Sequence, residues 1–239
     1  MSYGRIGVIG AMDSELAALI AALAQPARET VQGLAFHTGR LGAREVVLVR
    51  CGIGKVSAAR CTQVLIDRFA PAAVINTGIA GGLGAGLAVG DIVVADGLVQ
   101  HDFDAAPIGF VRGCLCMGDP CTPTVFTPDE PLSALLARTA GDAAGAQRVH
   151  RGLIATGDQF ISGAAAKAAL RRAFPAAMAA EMEGGAVAQA ASMSGVPFAV
   201  VRAISDLADG TAAASFEQFE QHAADISAAA VLQALALLD

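Results

Sequence analysis

The stretch Arg5–Leu23 (RIGVIGAMDSELAALIAAL) decides the reading of this chain. Arg5 to Ile9, with β-branched Ile6, Val8 and Ile9, has the pattern of a buried strand. Asp13 to Leu23 then places Leu16, Leu19, Ile20 and Leu23 on one helical face. The same alternation continues outward. Strands are expected at Glu45–Arg50, Ala73–Thr77, Asp91–Ala95, Gly152–Thr156, Met178–Glu181 and Phe198–Ile204. Helices are expected at Lys55–Phe69, Leu132–Ala140, Ala164–Phe174, Gly184–Met193 and Phe216–Leu238. Between Leu98 and Thr127 the periodicity fails among prolines and glycines, which reads as irregular loop. Strands separated by helices imply a layered α/β domain, and near-continuous apolar strands imply a sheet buried on both faces. With no linker and no internal repeat in view, residues 1–239 read as a single domain.

Composition sets outer limits. Of the 239 residues, 54% are hydrophobic and 16% charged, and the formal net charge is −6. A nucleic-acid backbone as partner is disfavoured, because that binding needs a basic surface. No apolar run reaches the roughly 18 residues of a membrane-spanning helix. The N-terminal segment lacks the pattern of a secretory signal, since Asp13 and Glu15 cut its apolar run. Five cysteines and no export signal imply reduced thiols and a cytoplasmic location. Cys114, Cys116 and Cys121 cluster, with His101 nearby in sequence. Their C-x-C-x₄-C spacing matches no common zinc motif, so a cysteine-containing surface loop, with no metal and no cofactor, is expected.

In open α/β sheets, ligands bind beyond the carboxyl ends of strands. The residues there are Gly10–Glu15, Cys51–Lys55, Gly78–Gly82, Gly157–Ile161, Glu181–Gly184 and Ser205–Asp206. Phosphate-loop, dinucleotide and nucleophile-elbow motifs all fail on spacing. What remains is a set of acids: Glu15, Glu181, Glu183 and Asp206. Each has a plainer reading. Glu15 and Glu183 sit where an acid favours a helix N-terminus, and Asp206 could cap a turn. Arg202, inside an apolar strand, needs an acid or a ligand beside it. From the residues alone, the outcome is a carboxylate-lined pocket at the sheet ends.

Taken together, several segments resemble the 5′-methylthioadenosine/S-adenosylhomocysteine nucleosidases, within the nucleoside phosphorylase/hydrolase family. They are IGVIGAMDSEL (Ile6–Leu16), CGIGKVSAA (Cys51–Ala59), NTGIAGGL (Asn76–Leu83), VGDIVVAD (Val89–Asp96) and LVQHDFD (Leu98–Asp104). GLIATGDQFISG (Gly152–Gly163), AAEMEGGAVAQ (Ala179–Gln189) and VPFAVVRAISDLAD (Val196–Asp209) follow, with Ser215-Phe216 last. The resemblance implies a central mixed sheet flanked by helices, in a nucleoside phosphorylase-like fold. It implies that Glu15 is the general base for an attacking water, that Arg202 holds that water or its base, and that Asp206 protonates N7 of the purine. Phe160 would stack on the purine and the backbone of Ile161 would read its edge. Met182 and Glu183 would hold the ribose, with Glu183 accepting from its hydroxyls, and Glu181 would also belong to the substrate-binding set. Met12, Ile53, Ile79 and Phe216 would complete the substrate pocket. Ile79 stands where some relatives carry a small hydroxyl residue, and the loop at Val111–Thr127 matches poorly. A second subunit would supply part of the 5′ pocket, so a homodimer is implied.

The expected activity is therefore hydrolysis of a small-molecule nucleoside, 5′-methylthioadenosine or S-adenosylhomocysteine, releasing adenine. Three alternatives remain: a futalosine-type nucleosidase, a phosphate-dependent purine nucleoside phosphorylase, and a non-catalytic nucleoside-binding protein. The phosphorylase reading is disfavoured because the first glycine loop, Gly10-Ala11-Met12-Asp13, lacks Arg and Glu15 would repel an anion.

Overall fold

The computed structural model of the chain describes residues 4–115, 119–144 and 148–238. In chain order the elements are β1 (Ile6–Gly10), α1 (Asp13–Ala21), β2 (Ala24–Val31), β3 (Leu34–Leu41), β4 (Arg44–Arg50) and α2 (Lys55–Phe69). Next come β5 (Ala73–Gly82), β6 (Ile92–Gln100), β7 (Val125–Phe126), α3 (Glu130–Ala144), β8 (Val149–Thr156) and α4 (Ala164–Ala173). The chain ends with β9 (Ala177–Glu181), α5 (Gly184–Met193), β10 (Phe198–Asp206) and α6 (Ala212–Leu237).

The strands form one mixed sheet in the order β10-β6-β8-β9-β5-β1-β4-β3-β2, with β7 on β6. β10 also pairs β5, in parallel over most of its length. β5, β10, β6, β8 and β9 therefore close on one another as a small barrel, and β1 to β4 extend from it as an open wing. β5 makes this possible by changing neighbours. Its first residues pair β1, and Gly81 and Gly82 pair β9.

Three apolar clusters hold the layers. α1, α3 and α6 cover one face with Leu16, Leu19, Leu132, Leu136, Val231 and Leu235. α2 and α5 cover the other with Cys61, Leu65, Val187 and Ala188. Leu170 of α4 packs with Leu83 and Val99 in a third cluster.

The structure corrects several expectations. β2 and β3 were not anticipated. β2 (AQPARETV) is a sheet edge and mostly exposed, so no apolar run marks it. Gln25 has φ 53 where the β2–β3 register shifts, next to Pro26. Such irregularity and proline are tolerated at an edge, and they blunt it against further pairing. Gln32 (φ 49) and Gly33 (φ 79) join β2 to β3 as a two-residue hairpin of the type that needs positive φ at both positions. The sheet is thus not buried on both faces throughout. β5 runs on to Gly82, five residues past its expected end, and β6 runs on to Gln100, inside the stretch read as irregular. α1 stops at Ala21, and α6 begins at Ala212 rather than Phe216. In the cysteine loop Cys114 is buried and Cys121 exposed. Cys116 lies outside the described residues.

Candidate active site

A cleft of about 630 Å³, its open mouth included, lies at the carboxyl ends of β1, β5, β9 and β10. That is within the usual size of a small-molecule pocket. Glu15, Met12, Ile53, Ile79, Phe160, Ile161, Glu181, Met182, Glu183, Asp206 and Phe216 all line it, together with Ala11, Ala80, Gly81, Gln159, Ala180 and Ser205. Of the candidate residues, Arg202 alone is not on the wall. It lies behind it, 1% exposed.

Glu15 stands in the first turn of α1. Its Oε2 accepts from Ala11 N at 2.6 Å and Met12 N at 3.0 Å, and its Oε1 accepts from Ile79 N at 3.1 Å. The helix-capping role open to this residue is thus fulfilled, yet the third bond ties the carboxylate to β5. Gly78 makes the approach possible, since a Cβ there would sit 2.4 Å from Oε1. Ile79 serves Glu15 through its backbone N–H while its side chain lines the cleft. Burial pushes the Glu15 carboxyl above its usual range, against Arg202 and the three N–H groups.

Asp206 is aimed by an irregularity in β10. Ile204 pairs Ala80 and Asp206 pairs Gly81, so Ser205 is the extra residue of a bulge. Bulges of this kind redirect side chains next to functional sites. Gly81 leaves room, its hypothetical Cβ lying 3.0 Å from Asp206 Oδ1. Ala208 N donates to Oδ1 at 2.8 Å and Ser205 Oγ to Oδ2 at 2.9 Å. Burial again dominates and raises the carboxyl above its usual range. Gly78 and Gly81 lie roughly 10 Å apart along an extended strand, which sets the two carboxyl groups at separate points of one cleft.

Glu181 and Arg202 form the support. Arg202 Nη2 donates to Glu181 Oε2 at 2.6 Å, and Nη1 to Asn76 O at 3.2 Å and Val201 O at 3.1 Å. Nη2 also meets Asn76 Oδ1. Glu181 further accepts from Gly184 N at 2.6 Å, Glu183 N at 3.1 Å and Thr156 Oγ1. Of the polar side-chain atoms of this pair, only Arg202 Nε lacks a partner among the described residues. A buried pair held by this many bonds is stiff, and removing one partner would strand the other charge. The hydrogen bonds of Arg202 therefore serve Asn76 and Glu181, and Glu15 feels its charge. The supporting roles of Asn76 and Thr156 were missed. Nothing in an Asn inside β5 or a Thr at the end of β8 distinguishes it before its neighbours are known.

Glu183 Oε1 accepts from Gly54 N at 2.9 Å. Beneath that loop Lys55 Nζ meets Asp102 Oδ1 at 2.6 Å, Lys55 N donates to Asp158 Oδ1 at 2.8 Å, and Asp158 N donates to Asp102 Oδ2 at 2.8 Å. This network was also missed, because its members come from three distant segments. At the mouth, Phe160 and Phe216 meet edge to face, with ring centroids 5.6 Å apart at 87°.

The cleft carries four acids and, among the described lining residues, no Lys or Arg. Glu183 is pushed up to about 7 by burial and then by Glu181, against Arg202 and Gly54 N–H. A carboxyl raised from 4.5 binds its proton more tightly folded than unfolded. The contribution to stability is complete below pH about 4.5 and is lost as pH rises through about 7. Glu183→Gln should match the wild type near pH 5 and become the more stable form by about pH 8, by up to roughly 3 kcal/mol. Denaturant titrations of the ligand-free protein test this. A gap that does not change with pH would show that Glu183 is not strained by its charge.

Comparisons with known proteins show the family and the fold. Residues 5–236 match the family model of the phosphorylase superfamily. The chain is 42% identical over 235 residues to the 5′-methylthioadenosine/S-adenosylhomocysteine nucleosidase of Actinobacillus succinogenes, covering 98% of this chain and 100% of that one. The crystal structure of S-adenosylhomocysteine nucleosidase from Streptococcus pyogenes, in complex with 5-methylthiotubericidin, superposes with a TM-score of 0.93. It is 38% identical, with 100% and 99% of the two chains covered. The corresponding nucleosidase from S. pneumoniae, with a transition-state inhibitor, gives 0.91 at 40% identity over 98% and 100%.

Proposed function

Since the chain belongs to the phosphorylase superfamily, and within it to the 5′-methylthioadenosine/S-adenosylhomocysteine nucleosidases, we propose that it hydrolyses the N-glycosidic bond of those two nucleosides. The products are adenine and the 5-thio-substituted ribose. The observation that carries the mechanism is the pair of buried carboxyl groups, Glu15 and Asp206, held at different points of one cleft.

Breaking C1′–N9 leaves positive charge on the sugar and negative charge on the base. Asp206, kept protonated by burial, gives its proton to N7, so adenine leaves neutral. Water attacks C1′ and Glu15 takes its proton. Three backbone N–H groups orient the Glu15 carboxylate, and its raised affinity for protons suits a general base. Exchange with solvent returns both groups to their starting states. Phe160 stacks on the purine and Ile161 reads its edge through the backbone. Glu183 accepts from the ribose hydroxyls, and Met182, Met12, Ile53, Ile79 and Phe216 enclose the sugar and the 5′ group. Glu181 and Arg202 act on substrate through the residues they hold: Glu181 fixes the turn that carries Glu183, and Arg202 steadies the Glu15 charge.

We read residues 1–239 as one functional unit that works as a homodimer. Ile53 is 59% exposed, Phe160 47% and nearby Val56 81%. Apolar groups exposed together at a cleft mouth suit cover by a second subunit, which would close the 5′ pocket. No helix among the described residues is long and apolar enough to cross a membrane. The free cysteines Cys51, Cys61, Cys114 and Cys121 fit a reducing cytoplasm, and the products fit methionine salvage.

Incubation with 5′-methylthioadenosine, with and without phosphate, tests the reaction. Adenine and free 5-methylthioribose should form equally in both, before and after dialysis against a chelator. A sugar 1-phosphate made only with phosphate would make the enzyme a phosphorylase, although a cleft lined by four acids should repel that anion. Preference for a futalosine-type nucleoside would overturn the substrate.

A further inference from the structure

The peptide group joining Leu207 to Ala208 has both ends occupied. Its N–H donates to Asp206 Oδ1 at 2.8 Å. Its carbonyl accepts from Lys167 Nζ at 2.6 Å. Lys167 belongs to the first half of α4, which follows the Phe160–Ile161 segment of the cleft wall. We propose that Lys167 is a positioning residue for catalysis, acting on the acid Asp206 through this single peptide group. The inference rests on the reading of Asp206 as the proton donor.

Two physical effects run through the peptide. The first is orientation. Ala208 is fully buried with φ 51, a left-handed conformation that is strained for a non-glycine residue. Something must hold the peptide in that setting, and a cationic hydrogen bond to its carbonyl does so. The second is polarisation. A cation on the carbonyl oxygen draws electron density from the amide nitrogen, so the N–H becomes a better donor to the carboxylate. Both favour ionised Asp206 and oppose the burial that favours its protonated form. Two charged groups act on Asp206 in opposite senses: Asp209 from its own loop raises its proton affinity, and Lys167 from α4, with the smaller direct effect, lowers it. Facing it from β5 is Gly81, without a side chain, and Ser205 adds a neutral hydroxyl. Lys167 thus keeps the acid from holding its proton too tightly to give it to N7.

Replacing Lys167 removes the cation and loosens the N–H together, and both changes raise the pH at which Asp206 ionises. In Lys167→Met the alkaline limb of the kcat/KM profile for 5′-methylthioadenosine should move to higher pH. The plateau should drop several-fold, because the acid is less well aimed. Lys167→Arg keeps a cationic donor and should return the limb towards the wild-type position. Lys167→Gln, neutral and smaller, serves if Lys167→Met does not fold, and should shift the limb the same way. A role confined to stability would lower the melting temperature and leave the limb where it was, which would overturn the proposal. Residual turnover of Asp206→Asn tests the underlying reading separately. If the alkaline limb survives in that variant, it does not belong to Asp206, and the assignment of the acid fails. If the limb vanishes there yet stays fixed in Lys167→Met, only the role of Lys167 fails.

Discussion

Glu15→Gln is expected to lower kcat by on the order of 10²–10⁴ while leaving inhibitor affinity largely intact. Gln keeps the shape of the side chain but cannot take a proton from water. The geometry adds a second consequence. Both carboxylate oxygens accept backbone N–H groups, Oε2 from Ala11 and Met12 and Oε1 from Ile79. An amide must turn its NH₂ towards one of these donors. Facing Ile79 sacrifices one bond where the other orientation sacrifices two, so Gln should leave Ile79 N unpaired, at about 1–3 kcal/mol. Loss of a buried charge offsets part of that cost. The variant should fold, with little change in melting temperature, and bind a nontransferable substrate analogue. A near-normal kcat would reduce Glu15 to a helix-capping residue.

Asp206→Asn should lower kcat by about 10² or more with substrate binding retained, the pattern of lost transition-state stabilisation. Asn fits this site more easily than Gln fits the other. Ala208 N can still donate to its Oδ1, and the Ser205 hydroxyl can rotate to accept from its NH₂. The loss is then specific to proton transfer. Leaving groups give the control. A nucleoside whose base departs readily without protonation should recover most of its rate in Asp206→Asn and little in Glu15→Gln. Parallel behaviour of the two variants across a series of bases would show that Asp206 is not the acid.

Much of the fold was legible because its central strands carry an unbroken apolar signal. β1, β4 and β10 and most of the helices fall close to where their side-chain patterns put them. The misses share a cause. β2 is polar and exposed, so burial left no mark on it, and the Gln32-Gly33 turn stood without a recognisable strand on its amino side. The sequence pattern ends β5 at Thr77, because glycine weakens a strand by every local measure. Those glycines are tolerated since neighbouring strands pair them, and side chains occupy the space their missing Cβ atoms leave: Glu15 at Gly78, Asp206 at Gly81, and Ile204 and Leu207 at Gly82.

By itself the sequence determined the layered α/β class, the acids at the strand ends and the need of Arg202 for a partner, because helical and strand periodicity and the cost of a buried charge are local properties. Tertiary structure alone decided what surrounds each acid. Glu181 and Glu183 are two residues apart, yet Arg202 with three further donors commits Glu181 to support, while burial leaves Glu183 pushed up to about 7 on the cleft wall. The closure of the barrel, the bulge that turns Asp206 towards Gly81 and the reach of Lys167 to Leu207 were likewise settled only in three dimensions. A carboxyl group's protonation depends on the donors, charges and solvent within a few ångströms of it, and in this chain those arrive from segments far apart in sequence.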